Sequence, residues 1–117
     1  MKLTATLPMV ALGPATAATA ATAAVPMLHE EKYARDQEAL IITSPIAGIE
    51  NRFWFDYRID ITEAQKELTS DLRRASDIED LRDAWEECGH ELKGEREHYI
   101  KGMAERGYRY GQVIVVE

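Results

Sequence analysis

What most restricts this 117-residue chain is the placement of its charge. Residues 1–28 hold one charged side chain, Lys2, whereas the 89 residues from His29 onward hold thirteen Lys and Arg and twenty-one Asp and Glu. Ala15–Ala24 runs A-T-A-A-T-A-A-T-A-A, a period of three that matches neither a helix nor a strand. Pro8, Gly13, Pro14 and Pro26 interrupt any continuous helix or inner strand around it. The sequence therefore divides into a low-complexity apolar arm, 1–28, extended and without a core of its own, and a single domain, 29–117.

The arm admits three readings. As a secretory leader it has Lys2 and a small-x-small site at Ala21-Thr22-Ala23, but its apolar stretch is diluted by threonine and broken by proline. As a membrane span it is long enough, yet Ala and Thr sit near zero on insertion scales and three prolines fall inside it, so no span is expected. The reading the sequence favours is an assembly arm that becomes ordered along a neighbouring subunit, with Val10, Val25 and Met27 as its apolar contacts.

In the domain, His29–Gln37 reads as a short helix with Leu28, Tyr33 and Ala34 on its apolar edge, and Glu38–Thr43 as a strand ended by Ser44-Pro45. Arg52–Ile61 carries the clearest alternation. Phe53, Phe55, Tyr57, Ile59 and Ile61 alternate with Arg52, Trp54, Asp56, Arg58 and Asp60, which predicts a strand of an antiparallel sheet wet on one face, with Trp54 outside as an interface anchor. Thr62-x-x-Gln65 has capping-box spacing and predicts a helix to about Ala75; Ser76-Asp-Ile-Glu79 repeats the signal. The second helix places Leu81, Trp85, Cys88, Leu92, Tyr99 and Met103 on one stripe and ends at Gly107, with a break expected between His90 and Gly94. Arg109–Glu117 reads as a closing strand whose Val113, Ile114, Val115 and Val116 form an apolar edge. The expected fold is α+β, a small three-stranded antiparallel sheet with two helices on one face.

A net charge of −7 and a pI near 5.0 argue against duplex nucleic acid, and the aromatics of 53–57 read as core more readily than as a base-stacking platform. One cysteine excludes a disulfide framework and a cysteine-rich zinc site. Cys88 falls in register with Leu81, Trp85 and Leu92 among acidic neighbours, as a buried structural thiol does. Two E-x-x-H pairs, Glu87/His90 and Glu95/His98, have the spacing by which a helix presents metal ligands. Both sit on one helix in a segment rich in glutamate, so a solvated charged face is expected there, with no metal, cofactor or catalytic set. No G-x-S-x-G or phosphate-cradling glycine loop occurs.

The function these features favour is non-enzymatic: a structural or assembly protein, by analogy of the virion-accessory kind, self-associating or engaging a protein partner. Its interface would comprise Trp54, Tyr110, the Val113–Val116 edge and the arm, in an intracellular or virion setting. Two alternatives remain. One is an acidic regulatory or inhibitory binder presenting Asp71, Asp77, Asp80, Asp83, Glu86, Glu87 and Glu91 to a basic surface; the other is an exported domain with a cleaved leader.

Overall fold

The computed structural model describes residues 26–111. Three helices account for its regular structure: α1 (His29–Glu38), α2 (Arg52–Arg74) and α3 (Ile78–Ala104), with a single 3₁₀ turn at Ile46–Gly48 between the first two. No strand occurs among the described residues, so the expected α+β sheet is replaced by an all-helical packing. Helices α2 and α3 form an antiparallel hairpin over a three-residue turn, and α1 packs on α3. The proposed edge strand Val113–Val116, with Val10 and Val25 of the arm, lies outside the described residues.

The decisive correction is at Arg52–Ile61, which forms the first half of α2. Its sequence satisfies two periods at once. The alternating set is interleaved with Trp54, Tyr57, Ile61, Ala64 and Leu68, spaced three and four apart, and this second set is the one turned inward: Trp54, Tyr57, Ile61 and Ala64 are buried. Phe55 and Ile59, expected in the core, are exposed, and Trp54, expected outside as an anchor, is core. Asn51 supplies the start that Thr62 does not. Its side chain accepts a 3.1 Å hydrogen bond from the Trp54 N–H and donates to Met103 Sδ at 3.3 Å. The Thr62 hydroxyl instead donates to the Arg58 carbonyl one turn back, at 2.9 Å, within a continuous helix. Glu38–Thr43, expected as a strand, is the last residue of α1 and the loop after it.

Helix α3 begins one residue later than the Ser76-x-x-Glu79 spacing predicts, with Asp77 as its cap. Asp77 accepts from the Asp80 N–H at 2.8 Å, and Asp80 reaches back to the Ser76 N–H and hydroxyl, each at 3.0 Å. It runs unbroken past Gly89 and Gly94. Gly89 is a packing site rather than a break: a Cβ there would lie 2.5 Å from the Tyr33 ring and 3.2 Å from the Ala34 Cα, so its absence lets α1 approach. At the other end the Tyr108 N–H bonds the Met103 carbonyl and the Gly107 N–H the Ala104 carbonyl, both at 2.9 Å, with Gly107 at φ +89°. This is a Schellman closure.

The core lies between α2 and α3 and under the 39–51 loop, and comprises Ile42, Ile46, Trp54, Tyr57, Ile61, Ala64, Cys88, Leu92, Tyr99 and Met103. Tyr57 and Tyr99 stack at 4.8 Å between ring centroids, and Trp54 packs 5.9 Å from Tyr99. Their hydroxyls pin the loop: the Ile42 N–H donates to Tyr57 Oη at 2.9 Å and the Ile46 N–H to Tyr99 Oη at 3.0 Å. Replacing Tyr99 with Phe keeps the ring and strands a buried N–H. The expected cost is about 1–3 kcal/mol in urea unfolding. An unchanged midpoint would show that the loop is held by apolar contacts alone.

Candidate functional site

The α2–α3 hairpin brings two acidic stripes face to face. On α2, Asp56, Asp60, Glu67 and Asp71 follow one another at helical spacing with buried Ala64 between; on α3, Asp80, Glu87, Glu91 and Glu95 do the same with buried Ala84 between. The small alanines let the helices approach, and the carboxylates are carried with them to the rim of the seam. Near its middle, carboxylate oxygens of Glu67, Glu87 and Glu91 lie within 4.8 Å of one another. Toward the α2 N-terminus, Asp60 and Glu95 line one groove, and the Asp60 carboxylate contributes to raising the Glu95 pKa. At the far end Asp71, Asp80, Asp83 and Glu87 line a depression with Arg74.

Like charges this close disturb one another's ionisation. Glu67 is raised above the usual carboxylate range first by the charge of Glu87 and then by desolvation. Desolvation raises Glu91, with Glu67 and Glu87 adding to it; Glu95 is raised by desolvation and by Asp60, against an opposing contribution from His98. Asp80 moves the other way because Ser76 hydrogen-bonds its charged form. Cations are scarce along the seam: among the described residues only Asp71 of the eight stripe carboxylates has a salt bridge, to Arg74 at 2.8 Å.

The two E-x-x-H pairs separate. Glu87 points toward α2 and its two glutamate neighbours, whereas His90 turns to α1, its Nδ1 3.4 Å from Tyr33 Oη and its ring 5.3 Å from the tyrosine's. Glu95 and His98 share a groove of about 460 Å³ with Arg52, Phe53, Asp56, Ile59 and Asp60, floored by Tyr57 and Tyr99. The four residues thus form no single ligand set. The trio Glu67, Glu87 and Glu91 offers oxygen ligands of the kind hard divalent cations accept, at an exposed position where such groups also occur without an ion. Cys88 is buried, and desolvation followed by the Glu91 charge pushes its thiol up to about 11, so it is an unreactive core residue. Of the expected interface residues that are described, Met27 and Tyr110 are exposed and Trp54 is not. No described helix is long and apolar enough to cross a bilayer, and most of the arm weighed as a span lies outside the described residues.

The seam itself was missed at the level of sequence, because Asp56 and Asp60 read there as the wet face of a strand. Their continuation at Glu67 and Asp71 is the signal that a helical reading exposes. Comparison with protein-family models, with curated proteins and with solved structures gave no match.

The raised carboxyls fix the sign of a pH effect. Since their folded-state pKa values exceed the unfolded ones, the seam contributes most favourably below the ordinary carboxylate pKa, and that contribution is lost as pH rises through the raised values. Glu91→Gln is therefore expected to raise the urea midpoint at pH 7, with the gain shrinking toward zero at about pH 4, near the reference carboxylate value. A gain equal at both pH values would mean that charge repulsion is not its source.

Proposed function

We propose that this chain is a non-enzymatic protein-interaction module whose α2–α3 seam receives a basic partner. The observation that carries the reading is the pair of facing carboxylate stripes, close enough to raise one another's pKa values and nearly without cations of their own among the described residues. Folding alone gives no reason to set these groups together, since like charges across a helix pair oppose it. A partner bearing Lys or Arg removes that repulsion on binding, and the net charge of −7 steers it in from a distance. Catalysis has little support in this site, whose histidines face different neighbours and whose only cysteine is buried.

The test is a comparison of two charge reversals with equal net charge. Glu87→Lys/Glu91→Lys is expected to weaken binding of a lysine- and arginine-rich peptide at least tenfold, while Glu97→Lys/Glu105→Lys, at exposed positions off the seam, changes it far less. Equal losses in both would reduce the seam to a share of the overall charge and sink the reading.

Exposed Met27 and Tyr110, large side chains near the two ends of the described body, favour a second reading in which the chain assembles through its N-terminal arm and C-terminal segment. In that case sedimentation of the full chain shows an oligomer that Met27→Ser/Tyr110→Ser dissociates. A monomer at every concentration for the parent chain removes it.

A further inference from the structure

The outer surface of α2 carries an apolar pair that the core does not use. Phe55 is 46% exposed and Ile59 55%, and they stand one turn apart on the same face. Single exposed hydrophobic residues are ordinary, but this pair has concave surface on either side. On one side Ile59 borders the groove with Asp56, Asp60, Glu95 and His98; on the other, Phe55 and Ile59 border a groove of about 410 Å³ with Arg58, Thr62, Glu63 and Lys66. Ile59 belongs to both. The apolar pair is thus continuous with the upper end of the acidic seam, and the two surfaces are set about 100° apart round one helix.

We propose that the partner's contacting element is an amphipathic basic helix lying along α2, its apolar side chains against Phe55 and Ile59 and its lysines or arginines over Asp56, Asp60 and Glu95. This rests on the docking reading of the seam and adds the shape of the occupant. An apolar pair one turn apart, flanked by shallow grooves, matches the ridge that positions i and i+3 or i+4 form on a facing helix. The acidic edge then meets the next face of that helix, about 100° round its axis, where an amphipathic sequence carries its charge. The aliphatic stems of Lys and Arg have Ile59 and the partly buried Phe53 of the 460 Å³ groove to lie against while their heads reach the carboxylates. A second copy of this chain fits less well. Antiparallel pairing of two α2 helices about a two-fold axis sets the same flank against itself, which places Asp56 of one copy beside that of the other, at −7 per chain.

Two synthetic 16-residue probes of equal positive charge test this on the full chain at 0.15 M salt: a leucine/lysine helix former with all leucines on one face, and the same peptide with serine in place of leucine. Fluorescence anisotropy is expected to show the leucine probe binding at least tenfold more tightly, with circular dichroism recording a gain of helix on binding. Phe55→Ala/Ile59→Ala, exposed positions where alanine keeps the helix, is expected to bring the leucine probe to the level of the serine probe and leave the serine probe unchanged. If both probes bind the parent equally and Glu87→Lys/Glu91→Lys still weakens both, the seam docks basic partners and the helix inference is overturned. If neither binds, the docking reading falls and the inference with it. A dimer of the parent chain that Phe55→Ala/Ile59→Ala dissociates would assign the face to a second copy and overturn the inference as well.

Discussion

Two stacked tyrosines hold this small protein together. Tyr57 and Tyr99 come from different helices, so their ring contact joins α2 to α3, and their hydroxyls close the 39–51 loop over the same core. Each hydroxyl meets a backbone N–H that the loop's irregular path leaves without a helical partner. That arrangement lets a loop with two buried isoleucines, Ile42 and Ile46, serve as the lid of the core. Desolvation raises both tyrosines above the usual phenol range, with the loop N–H groups opposing it, so both remain neutral at physiological pH and the hydroxyls keep their place in the network.

The core and the seam put opposite demands on one helix pair. Apolar packing draws α2 and α3 together at Ala64, Cys88 and Leu92, and the same closeness brings Glu67 to Glu87 and Asp60 to Glu95. The hairpin therefore sits below the stability its packing would permit, a pattern associated with surfaces kept for binding. Capping offsets part of the loss: the Ser76, Asp77 and Asp80 network anchors the start of α3 next to its most acidic stretch, and Asn51 does the same for α2.

How far the sequence revealed this depended on whether one period or two fitted a segment. Helix α1 was legible from its short apolar edge alone, the start of α3 to within one residue from its capping signal, and its close from Gly107. Arg52–Ile61 was not, because Phe53, Phe55, Tyr57, Ile59 and Ile61 satisfy strict alternation while Trp54, Tyr57 and Ile61 satisfy a helix. Only the continuation to Ala64 and Leu68, past the length of an ordinary strand, separates the two. That one segment carried the fold class, the exposure of Trp54 and the acidic stripe, so all three were misplaced together. The break expected between His90 and Gly94 failed for a different reason: Gly89, which weakens a lone helix, also admits a neighbour, and contact with Tyr33 and Ala34 outweighs about 1 kcal/mol of propensity.

The place of Gly89 bears on the order in which the molecule comes apart. Helices α2 and α3 are joined by a short turn, and their contacts close early in sequence; α1 reaches α3 only across a long excursion, with Tyr33 and His90 57 positions apart. It is held there by buried Ala34, by the Tyr33 ring over Gly89 and by the Arg35 guanidinium 5.0 Å over the Trp85 ring. Joined to α2 by a 13-residue loop, α1 is the helix that can open without parting the hairpin. An opening of α1 would bare the notch at Gly89 and the surface behind His90 and leave in place the tyrosine stack and the carboxylate seam, which belong to α2 and α3.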